Sequence, residues 1–327
     1  MKPMKILAAV LASTAVIAFC APVGAHAEGS NIVVIGGKPD DPFWAKVKKG
    51  ADDAGLVVTE HGGSVTWLGP QSYDNLGADA ANLIRTALSQ QPDAIIGPDW
   101  VPESMDDAFK AAISAGVPVV IYNAGGMEAA QRLGAMNFVG NDELIAGTAA
   151  GKYLGEHGAK NVICVNTVPG AANLEARCKG VSEGIAATGG TASQLPLPAT
   201  SFGNPTAVAE AIKAALLKNA EVDGVITISA SDANSAANGI MQAGGQGRVK
   251  LGSFDFDKSG LDRVKDGSQL FAVDQQPYMQ GYLAVSLAAG YASYGLDIPT
   301  APILTGPKIV DGDSVDAAIE GVAAGVR

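Results

Sequence analysis

The chain has 327 residues, 47% apolar and 17% charged, a globular composition that excludes a disordered or collagen-like polypeptide and is long enough for two domains. With 33 acidic against 22 basic residues and a formal charge of −11, and with no basic cluster, it is not built to meet nucleic acid or an anionic membrane surface.

Residues 1–27 depart from this composition. Lys2 and Lys5 form a basic start, Ile6 to Phe19 is an apolar run, and Ala25-His26-Ala27 fits a small-residue cleavage site, which together read as a secretory signal peptide. The run is too short to span a membrane, and no later stretch reaches the roughly 18 apolar residues that would. Phe19 is too bulky for lipid attachment at Cys20. Cleavage after Ala27 leaves a mature chain that begins at Glu28 with a charge of −13, because Lys2 and Lys5 are lost. Cys164 and Cys178 are then the remaining cysteines. In an oxidising compartment such a pair points to a disulfide, worth about 3 kcal/mol for a loop of this size, with two separate buried thiols as the alternative.

The first element is the run Ile32 to Ile35, continuously apolar and β-branched as in a parallel strand covered on both faces. Gly36 and Gly37 end it; Asp41 is suited to cap a helix and Pro42 to open it. Val47, Ala51 and Ala54 then recur at helical spacing. Phe43 and Trp44 come too early for both to join that stripe, so at least one is expected to face the crevice at the strand's carboxyl end, where open α/β sheets bind ligands. The alternative is that both rings pack under a neighbouring loop.

Strands at Val65–Leu68, Asp93–Gly97 and Pro118–Tyr122 follow, separated by helices marked by Leu76 to Leu88 and by Met105 to Ile113. This alternation predicts a parallel, doubly wound sheet with right-handed crossovers. A second series begins near Asn141, with strands at Asn161–Val165, Gln194–Leu197, Gly224–Ile228 and Lys250–Phe254 separated by helices. Beyond it the sequence predicts a helix over 258–266, a strand over Leu270–Val273, a long helix over Pro277–Tyr294 and a strand within Ile303–Val310. The late elements are expected to return an edge strand to each lobe, so the chain would cross between lobes more than once and form a hinge.

The sequence carries no dinucleotide glycine spacing, no phosphate-binding loop and no nucleophile elbow. What recurs is a polar residue just past each strand: Asp40 and Asp41, Asp99, Asn123, Asp232, Asp255 and Gln275. Such groups face the crevice and suit hydroxyl ligands, although Asp or Asn there also caps helices and closes turns. Asp99 and Asp257 are read in that second way.

Taken together, the DPFW turn after the first strand, PVVIYN at the fourth, the R-x-x-G pattern of Arg177 to Gly180, Phe202 after PLPATS, SFD ending at Asp255 and AVDQQP with Gln275 resemble the periplasmic sugar-binding proteins of ABC importers, of the ribose-binding type. The resemblance covers the whole mature chain. It implies two doubly wound lobes joined by a multi-crossing hinge, with residues 28–138 and 276–303 in one lobe and 139–275 and 304–327 in the other. It implies that Phe43 or Trp44 stacks on one sugar face and Phe202 on the other, while Asn123, Arg177, Asp255 and Gln275 bond hydroxyls and Asp41 stands at the family's strand-one Asn. Asp232 joins the set because Ala230 to Asn234 looks like the corresponding loop of autoinducer-2 binders. The sequence departs from the pattern at Asn123-Ala124, where Asp-Arg is usual, and at Gly37, where autoinducer-2 binders carry a ligating Lys.

The reading is therefore a monomeric, non-enzymatic binding protein without metal or cofactor. It would capture a neutral monosaccharide or sugar alcohol, since one Arg and one Asp balance, and deliver it to an inner-membrane permease. A furanosyl signal of autoinducer-2 type, or presentation of a ligand to a chemoreceptor, is the alternative. A secreted α/β enzyme would need a base beside a nucleophile, which the sequence does not supply.

Overall fold

The computed structural model describes residues 29–38 and 40–327, so the expected signal peptide lies outside the described residues. The strands, each short, are β1 (Asn31–Ile35), β2 (Ser64–Leu68), β3 (Ala94–Gly97), β4 (Val119–Tyr122), β5 (Phe138–Asn141), β6 (Asn161–Asn166), β7 (Thr191–Pro196), β8 (Gly224–Thr227), β9 (Lys250–Phe254), β10 (Phe271–Asp274), β11 (Ile303–Gly306) and β12 (Lys308–Val310). The helices are α1 (Pro42–Glu60), α2 (Leu76–Ser89), α3 (Pro102–Ser114), α4 (Gly126–Leu133), α5 (Glu143–Glu156), α6 (Ala172–Ala186), α7 (Pro205–Lys218), α8 (Ala230–Gln242), α9 (Lys258–Asp266), α10 (Pro277–Tyr294) and α11 (Val315–Ala323).

The strands form two six-stranded sheets, ordered β11-β5-β4-β3-β1-β2 and β12-β10-β9-β8-β6-β7. The orders coincide when β1 to β5 are matched with β6 to β10 and β11 with β12, so the halves share one topology. All pairings are parallel except that of β12 with β10. Each sheet is buried under helices on both faces, which is why β1, β3 and β4 read as unbroken apolar runs.

The first sheet gains two elements the sequence reading lacks. α4 is short and bounded by Gly125 and Gly134, both left-handed, and β5 (FVGN) is too brief for a period to register. β5 and β11 each extend past the lobe boundaries expected at 138 and 303. The expected last strand is two: β11 completes the first sheet, and after the cis Gly306-Pro307 peptide β12 completes the second. The chain thus passes between sheets after β5, after β10 and between β11 and β12.

The disulfide Cys164–Cys178 is present, joining β6 to α6 with the Cα atoms 5.6 Å apart. Among the described residues no helix is long and apolar enough to cross a membrane, and no group of His, Cys, Asp and Glu could hold a metal ion.

Candidate functional site

The carboxyl ends of both sheets face one cavity of about 80 Å³. Asp41, Phe43, Trp44, Asn123, Arg177, Phe202, Asp255 and Gln275 all line it. Asp232 does not. Ser229 is the N-cap of α8, and Asp232 sits in the first turn, 2% exposed, accepting a hydrogen bond from Thr167 Oγ1 at 2.8 Å. Burial pushes its carboxyl up to about 6.

Two equivalent positions anchor the site. Asn123 directly follows β4 and Asp255 directly follows β9, the matched strand of the other sheet, and both are left-handed, with φ of 60° and 59°. A non-glycine residue there is uncommon, and such backbone collects at ligand sites. The backbone N–H of each donates to the neighbouring strand, Asn123 to Val139 and Asp255 to Val273, so the side chain swings out of the sheet toward the cavity. A buried relay links the two. Asn123 Nδ2 donates to Gln280 Oε1 (3.0 Å), Gln280 Nε2 to Gln275 Oε1 (3.1 Å), and Gln275 Nε2 to Asp255 Oδ1 (2.8 Å). The relay fixes the orientation of each amide and leaves Asn123 Oδ1 and Asp255 Oδ2 without a donor among the described residues.

Arg177 is 3% exposed, and its Nε and Nη2 grip Glu143 at 2.7 and 2.9 Å while Nη1 donates to Ile228 O at 2.9 Å. Its guanidinium lies 4.6 Å from the centre of the Phe254 ring. Of five N–H donors, one on each terminal nitrogen remains for a ligand. Burial disfavours the charge, but Glu143 outweighs it and raises the pKa. Glu143 therefore balances Arg177, and the single Arg–Asp balance expected from the sequence does not hold. Asp255 has no ion-pair partner among the described residues, and burial pushes it up to about 6 against the pull of Arg177 and the Gln275 bond.

On the first lobe Asp41 caps α1, accepting from Phe43 N at 2.9 Å and from Tyr73 Oη at 2.8 Å. Burial raises its pKa despite these bonds. Trp44 is 6% exposed, wedged among Phe43, Trp67, Trp100 and Tyr122 with ring centres 5.2 to 6.2 Å away. Phe43 is the more open ring. Across the cleft Phe202 meets Tyr73 edge-to-face at 5.1 Å.

Tyr73, Trp100 and Asn173 also line the cavity and were missed from sequence. Trp100 follows β3 as Asp99 does, so the strand-end rule could have found it. Asn173 lies four residues before Arg177 on α6, hence on the same face, and its buried Oδ1 has no partner. Tyr73 gives no sequence signal, because it reaches the site from the β2–α2 loop. Asp99 corrects another expectation. It neither caps α3 nor closes a turn but is fully buried, bonded to Arg132 of α4 at 2.7 Å. Asp257 does cap α9, accepting from Gly260 N at 2.7 Å.

Residues 32–296 match the sequence profile described as periplasmic binding protein domain. A carbohydrate transporter from Acidothermus cellulolyticus 11B, solved with myo-inositol, superposes with a TM-score of 0.81 at 30% identity, covering 91% of this chain and 99% of that one. A solute-binding protein from Burkholderia graminis, solved with D-arabinose, gives a TM-score of 0.76 at 22% identity over 88% of this chain and 96% of that one. The xylose/arabinose-binding protein XylF of Sulfolobus acidocaldarius is 24% identical over 275 residues, 77% of this chain but 64% of the relative's own length.

Proposed function

This chain belongs to the periplasmic binding protein family, whose members bind solutes and are not enzymes, and on that premise we propose that it captures a neutral monosaccharide or cyclic polyol and hands it to an ABC permease. The observation that carries the reading is that Arg177 and Asp255 from one lobe and Phe43 from the other converge on one cavity. A sugar or polyol ring offers C–H faces to the open Phe43 ring and to Phe202, and an equator of hydroxyls to Asn123 Oδ1, Asp255 Oδ2, Asn173 and the spare N–H groups of Arg177. With Glu143 cancelling Arg177, two carboxylates, Asp41 and Asp255, remain at the cavity; they accept from hydroxyls and repel acids. A hydroxyl-rich ring also agrees with the myo-inositol and arabinose partners of the relatives.

In this reading the protein is exported to the periplasm by cleavage after Ala27 and acts as a monomer. The two lobes meet at the segments after β5, after β10 and between β11 and β12, and hinge there. N-terminal sequencing of the exported protein should return Glu28; a start at Cys20 carrying an acyl mass would reject the export scheme.

The test of ligand class is a thermal-shift panel of myo-inositol, D-arabinose, D-xylose, D-glucose and D-galactose, followed by calorimetry, because a ligand that binds only the folded form raises the melting temperature. At least one is expected to do so. If none shifts the transition, the reading fails.

A further inference from the structure

Lys46 projects from the second turn of α1 on the first lobe, half-buried, and its Nζ donates to Phe256 O of the second lobe at 3.1 Å. Among the described residues the other hydrogen bond that crosses the cleft away from the hinge segments is Ala172 N to Trp100 O. The carbonyl that Lys46 holds belongs to a fixed turn. Asp255 just before it is left-handed, with φ of 59° and its own O accepting from Ser253 Oγ at 2.9 Å, and Asp257 just after it caps α9. A pull on Phe256 O is therefore a pull on the segment that presents the Asp255 carboxylate to the cavity.

Charge gives the contact a second role. Closing the lobes brings Asp41 of the first toward Asp232 and Asp255 of the second, and Asp41 disfavours the ionised form of Asp232. The other cations nearby are committed. Lys38 pairs with Asp40 at 3.5 Å, Lys258 with Asp262 at 2.6 Å and Arg327 with Asp274 at 3.2 Å, while Arg177 is held by Glu143. Lys46 has no carboxylate at ion-pair distance among the described residues, and it is the first-lobe cation that favours the ionised form of Asp255. It acts in the same sense on Asp274.

We propose that Lys46 is a positioning residue for ligand capture, latching the first lobe to the turn that carries Asp255 and offsetting with its charge the carboxylates that closure gathers at the cavity. This rests on the ring-binding reading above and deepens it.

The test is calorimetry on the full mature chain, between pH 7.5 and 5, with the ring of the thermal-shift panel that raises the melting temperature most. Lys46→Met keeps the aliphatic stem and removes both donor and charge. A hydrogen bond to a charged group changes an equilibrium constant by about tenfold or more, so this variant is expected to bind about tenfold or more weaker than the parent. Arg177 and Glu143, the other charged groups that act on Asp255, stay paired in parent and variant alike. With Lys46 gone, Asp255 takes up its proton at a higher pH, so the loss of affinity on acidification should move upward by about half a pH unit. Lys46→Arg, which keeps a charged donor, should stay within about threefold of the parent with its midpoint unmoved. Lys48→Met removes an exposed lysine that pairs with Asp52 on the same helix and should change neither quantity. Lys46→Leu replaces Lys46→Met if circular dichroism shows misfolding. The latch is refuted if Lys46→Met binds like the parent, if it weakens binding with the pH midpoint unmoved, as lost packing alone would, or if Lys46→Arg is as weak as Lys46→Met; in each case ring binding by the parent stands. If no ring of the panel shifts the parent's transition, the ring-binding reading and the latch fall together.

Discussion

Asp255 is a partly exposed carboxylate with a single protein donor among the described residues, beside the cavity at the carboxyl ends of the sheets. Its pKa of about 6 gives two opposite pH effects. An Asp whose folded value exceeds its unfolded one holds its proton in the folded state between roughly pH 4 and 6, so the free protein is expected to gain stability as the pH falls through 6, and Asp232 adds to the gain. Ligand hydroxyls favour the ionised form, so affinity should weaken over the same window. Arg177, Glu143 and Lys46 are the charged groups that act on Asp255, and Arg177 stays charged throughout. Urea titrations and calorimetry at pH 7.5, 6 and 5 check both signs; affinity that strengthens on acidification would contradict the assignment. Arg177→Ala would leave Glu143 buried without its partner, a loss of about 3–5 kcal/mol in stability. Arg177→Lys is the better probe of binding, expected to weaken it at least tenfold because an ammonium cannot hold Glu143 at two points and still face the ligand. Gln280→Leu should weaken binding without touching the ligand, since it cuts the relay that orients Asn123 and Gln275. Unchanged affinity in that variant would show that the relay is dispensable.

At the scale of elements, α5 and α6 hold the Arg177–Glu143 pair, and glycines let them approach. A β-carbon on Gly147 would overlap the carbonyl oxygen of Arg177, and one on Gly180 that of Leu144. Gly180→Ala is therefore expected to force the helices apart, costing about 1–3 kcal/mol and weakening ligand binding together, which denaturant unfolding and calorimetry would register. α6 is also stapled to β6 through Cys164–Cys178. Removing the bridge by the double Cys→Ala change should cost about 3 kcal/mol in the chain-entropy model. Asp99 ties β3 to α4, and its backbone N–H donates to Ala124 O, so it supports the loop that presents Asn123. Asp99→Ala should destabilise the first lobe by about 1–3 kcal/mol, in contrast to the small effect expected of a turn residue.

For the whole molecule, the two lobes touch across the cleft, where Val168 and Ala171 of the second pack against the apolar core of the first. Ala172 N donates to Trp100 O at 2.8 Å, Lys46 Nζ to Phe256 O at 3.1 Å, and Tyr73 meets Phe202. A ligand held by both lobes adds its own contacts only when they are together, and so shifts the hinge toward closure. Small-angle scattering should show a smaller radius of gyration with the bound ring than without it; an unchanged radius would mean that the lobes do not clamp. At a hundredfold excess over Kd the ligand should add about 2.7 kcal/mol to stability.

Unbroken apolar strands, Gly-ended turns and helical stripes were enough to predict two doubly wound halves, because burial on both faces of a parallel sheet leaves its mark on consecutive residues. Strand-end position likewise singled out Asp41, Asn123, Asp255 and Gln275. β5 and α4 escaped because four strand residues and an eight-residue helix are too short for a period to show. Glu143, Tyr73 and Asn173 escaped for another reason: Tyr73 and Asn173 reach the cavity, and Glu143 reaches Arg177, from a helix or a loop, through packing between segments far apart in the chain. Local sequence determined which residues stand at the carboxyl ends of the strands. Only the tertiary structure decided which of them face the cavity, because the pairing of Arg177 with Glu143 and the turning of Asp232 toward Thr167 depend on distances between elements that no local pattern encodes.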